Sequence, residues 1–218
     1  MFSNQSTAVY AGGDYVVSII LPTYNRASLL KRAVDSVLQQ NYCKYELIIV
    51  DDGSTDNTFE IIRDLQKTYP NIRYLRHSNR QLPLSLNAGL LASVGEFVTF
   101  LGSDDEYKPE HLENRISFFK NDPDLDFIHG GVEIIGYPFV KDKYDLSKMI
   151  HVSDCVVGGT FFGKRSVFLE NGGFRNIKYS EDSEFFERIK DRYRIKRVNL
   201  PTYIYYRDTP DSICSTIV

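Results

Sequence analysis

Val98-Thr-Phe-Leu-Gly-Ser-Asp-Asp-Glu-Tyr107 reads as a buried strand that runs directly into two adjacent carboxylates, Asp104 and Asp105. Like charges that close repel, and each loses hydration on burial, so paired acids at the end of an apolar strand need a compensating partner. The usual partner is a hard divalent cation, which takes oxygen ligands and often accompanies a diphosphate. A second strand, Glu46-Leu-Ile-Ile-Val50, ends the same way in Asp51-Asp52. Two strands that deliver acid pairs to their C-terminal ends predict one polar, metal-dependent site at the edge of a sheet.

Working outward, the first half of the chain alternates strand and helix. Apolar runs at 16–21, 45–50, 72–76 and 96–101 predict strands, and helical spacing of apolar residues predicts helices over 27–40, 58–69 and 84–93. A further helix over 109–120 carries Pro109 in its first turn. Asn25 or Ser28 is available to cap the first helix, and Ser54 or Thr55 the second. This order argues for an α/β fold, a mostly parallel sheet with helices on both faces. Ligands of such sheets sit beyond the carboxyl ends of the strands, where both acid pairs lie. The second half is less regular. Strands are expected at 126–135, 155–162, 194–199 and 203–207, and helices at 165–170 and 183–191. Residues 136–154 read as a mobile loop, and Gly158-Gly159 as a point of close backbone approach.

Composition narrows the function class. A chain of 218 residues, 42% hydrophobic, suits one domain: a loose tail over 1–14 hinged at Gly12-Gly13, then a single unit over 15–218. A net charge of −3 gives no basic stripe for a nucleic acid, so none is expected as a partner. Cys43, Cys155 and Cys214 are widely spaced and show neither zinc spacing nor a disulfide framework, which points to a reducing cytoplasm. No apolar run approaches the roughly 18–20 residues of a membrane span, and the N-terminus lacks the pattern of a signal peptide. The 15 tyrosines and 14 phenylalanines are scattered, as core residues are.

Four motifs follow in order: Pro22-Thr-Tyr-Asn-Arg26, Val50-Asp-Asp-Gly-Ser-Thr-Asp56, Leu101-Gly-Ser-Asp-Asp105 and Glu181-Asp182. Together they resemble the family 2 glycosyltransferases of the GT-A fold, over about residues 16–207. The resemblance implies a Rossmann-like sheet with a smaller mixed acceptor-side region. It divides the unit into a nucleotide-binding half, 15–107, and an acceptor and catalytic half, 108–218. By that match Pro22, Thr23, Tyr24, Asn25 and Arg26 wrap the nucleobase and ribose, with Tyr24 packed on the base. Asp51 and Asp52 have the acceptors for a base N–H or a ribose hydroxyl. Arg80 stands in by reach for a family arginine, since Leu86 precedes Asn87 in the helix where that arginine usually lies. Asp104 aligns with the last acid of the family's Asp-X-Asp motif and Asp105 stands next to it, so these two are the metal candidates for Mg²⁺ or Mn²⁺, with Asp104 also touching the diphosphate. The motif's first acid is Gly102 here. Asp182 is implied as the catalytic base, with Glu181 beside it, and Gly158 and Gly159 line the acceptor side. Tyr206-Arg207 and Asp211-Ser212-Ile213 resemble a family tail whose histidine position is occupied by Thr209.

The implied activity is inverting, metal-dependent transfer of one sugar from a nucleotide-diphospho-sugar, expected to be UDP-linked. The acceptor is a saccharide or a lipid-linked one, in surface polysaccharide or cell-envelope glycan synthesis. Without tryptophan the chain lacks the Gln-x-x-Arg-Trp motif of processive synthases, so single-sugar addition is expected. The resemblance places the chain in the cytoplasm and allows peripheral contact with the inner face of a membrane. A pyrophosphorylase would need a Gly-rich, Arg- and Lys-containing loop where Pro22–Arg26 stands. The alternative is a non-catalytic nucleotide-sugar-binding module, which Gly102 and Thr209 favour.

Overall fold

The central strands are apolar on both faces, and helices cover both. The computed structural model describes residues 16–209. The sequence-predicted tail over 1–14 and Asp211-Ser212-Ile213 lie outside the described residues. The first half runs β1 (Val17–Thr23), α1 (Ala27–Leu38), β2 (Tyr45–Asp51), α2 (Thr58–Thr68), β3 (Ile72–Arg76), α3 (Leu82–Ala92), β4 (Phe97–Phe100). A short β5 (Glu106–Tyr107) and α4 (His111–Asn121) follow. The second half holds β6 (Phe127–His129), β7 (Val132–Ile135), β8 (Phe139–Lys141), β9 (Met149–His151), β10 (Phe162–Lys164), α5 (Arg165–Glu170), α6 (Glu181–Ile189), β11 (Ile195–Arg197) and β12 (Tyr203–Tyr206).

The seven-stranded sheet has the order β11-β6-β10-β4-β1-β2-β3. Strands β4, β1, β2 and β3 pair in parallel, and β10 alone runs against its neighbours β4 and β6. Alternation along β1 explains the two layers of core. Val17, Ile19 and Leu21 pack with α1 residues Leu30, Val34 and Val37 and α4 residues Leu112, Ile116 and Phe119. Ile20 faces the other way, onto Leu86 and Leu90 of α3, Phe168 of α5 and Phe185 of α6.

Three sequence expectations need correction. The single strand over 126–135 is two strands in different sheets. Gly130 and Gly131 take φ of +99° and +76°, a backbone state open mainly to glycine, and turn the chain from β6 into β7. Strand β7 then joins β12 and β5 in a three-stranded sheet. Residues 136–154 are not structureless, because β8 and β9 pair as an antiparallel hairpin. In place of a strand over 155–162, Gly158–Thr160 forms a 3-10 turn ahead of β10. The caps also differ. Neither Asn25, Ser28, Ser54 nor Thr55 caps a helix; Asp56 accepts from Ala27 N at 2.9 Å and Thr58 N at 3.1 Å, so one carboxylate serves the first turns of α1 and α2.

Arg115 of α4 is fully buried, and among the described residues its one hydrogen bond is from Nη2 to Gly130 O at 3.2 Å. Burial pushes its guanidinium down to about 10. A buried charge with no carboxylate is expensive. Arg115→Met, which keeps the apolar stem, is therefore expected to be neutral or to raise stability by about 1 kcal/mol in urea unfolding. Destabilisation by more than that amount would show that the guanidinium stabilises the fold.

Candidate active site

The loop after β1 and the loop after β2 interlock. Asn25 has φ of +50°, and its side-chain oxygen accepts from Thr55 N at 2.8 Å. Ser54 Oγ accepts from Asn25 N at 2.9 Å. The two acids after β2 then diverge, because adjacent residues of an extended chain point to opposite faces. Asp51 turns to the α1 and α2 side, where it accepts from Ser54 N at 2.7 Å and from Tyr74 Oη at 2.6 Å. Asp52 turns to the other side and accepts from Arg80 N at 2.7 Å and Gln81 N at 3.0 Å. That grip folds residues 77–81 back over the end of β2 and holds Gln81 at φ of +75° where α3 begins. Tyr24 remains 46% exposed beside this loop.

The acid turn after β4 is held from below. Arg32 of α1 donates to Asp104 O, pairs with Glu106 Oε1 at 3.1 Å and lies 3.8 Å over the Tyr206 ring. Asp105 is buried, with Oδ2 accepting from Tyr203 Oη at 2.5 Å and Oδ1 from Tyr206 N at 2.9 Å. Burial, with Asp104 beside it, nonetheless pushes Asp105 up to about 7. Asp104 differs: among the described residues no hydrogen bond reaches its carboxylate, which lines the cavity described next.

The third element is the N-terminus of α6. Gly172 and Gly173 turn the chain ahead of it, and Asn87 of α3 clamps that turn from both sides, accepting from Phe174 N at 2.8 Å and donating to Phe174 O at 2.7 Å. Ser180, at φ of +63°, then aims Glu181 and Asp182 inward. Asp182 Oδ2 accepts from Gly158 N at 2.8 Å and Oδ1 from Ser183 N at 2.6 Å. Each oxygen keeps a lone pair for another partner. Burial raises Asp182 above the usual carboxylate range, opposed by these two N–H groups and by the charge of Lys143. Burial and the neighbouring Asp182 push Glu181 up to about 7.

These elements enclose one cavity of about 820 Å³. Of the sequence-predicted residues, Pro22, Thr23, Tyr24, Arg26, Asp52, Asp104, Asp105, Gly158, Gly159, Glu181 and Asp182 line it. Asn25, Asp51 and Arg80 do not; the first two are committed to the loop lock and Asp51's own turn, and among the described residues only the backbone of Arg80 is engaged, by Asp52. Asp105 reaches the cavity wall but is 4% exposed and accepts one hydrogen bond on each oxygen, so it is the less accessible acid of the pair. The close approach expected at Gly158-Gly159 is present, since a Cβ at Gly159 would overlap the Tyr203 ring. Sequence reasoning missed Leu82 and Leu86 as part of the wall, Tyr203 as its support, and Val140, Lys143 and Tyr144 of the hairpin. The tyrosine-rich alternation of β12 was the available signal for Tyr203.

Residues 18–152 match the family model of Glycosyl transferase family 2. The chain belongs to that family. An uncharacterized glycosyltransferase of Rickettsia conorii is 37% identical to this family 2 chain over 182 residues, which are 78% of it and 29% of the relative. Among solved structures, TarS 1-349 of S. aureus in complex with UDP-GlcNAc superposes with a TM-score of 0.76 at 22% identity, covering 93% of this chain and 61% of TarS. The mannosyltransferase PcManGT from Pyrobaculum calidifontis, in complex with GDP-Man and Mn²⁺, gives a TM-score of 0.70 at 24% identity, covering 90% and 57%. The fold is thus GT-A. The family 2 chain spans only part of its curated relatives, 35% of a glycosyltransferase from Nostoc sp. and 29% of the Rickettsia conorii protein. Among the described residues no helix is long and apolar enough to cross a membrane.

Glu181 links this site to stability. Its folded value of about 7 lies above the ordinary 4.5, so its contribution is present below about pH 4.5 and is lost as pH rises through about 7. Glu181→Gln removes that loss and is expected to be more stable than wild type at pH 8 by on the order of 2 kcal/mol, with little difference at pH 4.5. Equal denaturation midpoints at pH 8 would contradict the desolvation of this acid.

Proposed function

We propose that this chain transfers a single sugar from a nucleotide-diphospho-sugar to a hydroxyl acceptor with inversion at the anomeric carbon. The observation that carries this reading is the convergence on one cavity of Asp104, whose carboxylate has no hydrogen bond among the described residues, and Asp182, held by Gly158 N–H. The named ligands of the structural relatives, UDP-GlcNAc for TarS and GDP-Man with Mn²⁺ for PcManGT, support a nucleotide-sugar donor.

The donor end lies among Pro22, Thr23, Tyr24, Arg26, Asp52, Asn79 and Gln81. Tyr24 supplies an exposed ring for the base, and Leu82 and Leu86 supply apolar wall. The residues present fit a divalent cation: a carboxylate with no hydrogen bond among the described residues is a hard oxygen ligand at the cavity wall, and Mg²⁺ or Mn²⁺ bound with a diphosphate needs few protein ligands. Among the described residues no cluster of three or more His, Cys, Asp or Glu is disposed to hold a metal, and Asp104 is the acid proposed as the protein's ligand. Such a cation would neutralise the diphosphate charge that builds as the donor bond breaks.

At the acceptor end, Asp182 takes the proton of the attacking hydroxyl. A carbon–oxygen bond forms from the acceptor to the anomeric carbon as the bond to the diphosphate breaks, and the nucleoside diphosphate leaves with that electron pair. The Gly158 and Ser183 N–H groups fix the carboxylate's orientation. Lys143 on the β8–β9 hairpin favours its ionised form. The hairpin also walls the acceptor side, tied down by Tyr179 Oη to Lys141 O at 2.7 Å. The acceptor is proposed to be a saccharide or lipid-linked saccharide.

Asp182→Asn keeps the shape of the side chain and removes the base. It is expected to lower Mn²⁺-dependent transfer or hydrolysis of UDP- and GDP-hexoses by roughly 10²–10⁴-fold, with donor affinity retained in calorimetry. Equal turnover by wild type and variant would remove Asp182 as the base. Donor binding by a wild type that turns nothing over, across a panel of acceptors, would favour the non-catalytic binding module.

A further inference from the structure

The absence of an acid at Gly102 has a structural counterpart in Tyr203. This tyrosine of β12 is 3% exposed. Its hydroxyl donates to Asp105 Oδ2 at 2.5 Å and accepts from Gly102 N at 3.2 Å. Its ring packs flush on Gly159, where any Cβ would overlap it. The hydroxyl end of the phenol therefore touches both the acid turn and the Gly158–Thr160 turn, which orients Asp182.

Gly102 completes the fit. A Cβ there would lie 2.6 Å from Asp105 Oδ2, 3.2 Å from Asp104 Oδ1 and 3.3 Å from Tyr203 Oη. A Cβ there would force Asp105 Oδ2 to shift, so a side chain at position 102 and the Asp105–Tyr203 hydrogen bond as it stands compete for the same space. Neighbouring strand β12 also takes the second Asp105 oxygen, through Tyr206 N.

We propose that Tyr203 is a positioning residue: by withdrawing Asp105 into a buried hydrogen bond over Gly102, it leaves Asp104 as the sole acid presented to the donor phosphates, and by supporting Gly159 it sets Asp104 relative to Asp182. The proposal rests on the donor-site reading above. It makes this a single-carboxylate variant of the acid turn, built around a glycine.

Two substitutions act on the same contact from different sides. Tyr203→Phe keeps the ring on Gly159 and deletes the hydroxyl. Gly102→Ala leaves the ring alone and presses a methyl group on Asp105 Oδ2. Calorimetric titration of Mn²⁺ with UDP, and with GDP, is the readout, beside the same nucleotides in EDTA. Both variants are expected to weaken metal-dependent nucleotide binding roughly ten-fold, the scale for groups that orient a ligand from behind, and to leave metal-free nucleotide binding unchanged. Tyr203→Phe in an Asp105→Asn background is expected to add little, because the two side chains form one hydrogen bond. Wild-type affinity in both single variants, or full additivity in the double one, overturns the positioning role and leaves the transfer reading standing. A wild-type chain with no metal-dependent nucleotide binding overturns both.

Discussion

A carboxylate buried at the end of a strand must have its oxygens satisfied, and in this protein the way each one is satisfied builds the site. Asp51 consumes Ser54 N and Tyr74 Oη and so sets the turn after β2. Asp52 consumes two N–H groups ahead of α3 and so folds the loop over the donor end. Asp105 consumes Tyr203 and Tyr206 of β12 and so fastens the acid turn to the second sheet. A hydrogen bond to an ionised group contributes about 1.5–3 kcal/mol, and a buried one left unmade costs at least as much. These acids are walls because leaving them free is too costly. Asp104 stands apart as the acid with no such partner among the described residues.

The same logic joins the two halves of the chain. The parallel β-α-β half brings the loops after β1, β2 and β4 to one edge, as its topology requires. The irregular half is held at that edge by single contacts: Asn87 of α3 clamping the turn before α6, Tyr203 bridging Gly102 and Gly159, and Gly158 N–H holding Asp182. They act as geometric constraints on a core that is already packed, which is how an active site is kept accurate without adding much stability.

Most of the first half could be read from the sequence because its apolar residues keep a helical or strand period and its strands are buried on both faces. The second half resisted because its strands are three or four residues long and its direction changes at glycine pairs, such as Gly130-Gly131, whose effect depends on what surrounds them. Within the site, the presence of acid pairs at strand ends was legible, but the division of labour inside each pair was not. Asp51 and Asp52 differ only in which face of the chain they occupy. Asp104 and Asp105 differ only in whether β12, about a hundred residues later, places a tyrosine against them. Asn25 and Arg80 looked available because nothing local shows that Thr55 takes the first, while Asp52 fixes only the backbone of the second and leaves its side chain off the cavity wall. Long-range partners decide these roles, and no local pattern encodes them.

The central claim is that one carboxylate, Asp104, faces the donor phosphates while its neighbour is structural. A crystal of the chain soaked with Mn²⁺ and UDP tests it directly through the anomalous signal of manganese. The account expects one strong peak in the cavity, bonded to an Asp104 oxygen and to the diphosphate, with Asp105 still hydrogen-bonded to Tyr203. A peak bonded to Asp105, or manganese bound away from Asp104 with the nucleotide in place, would contradict it.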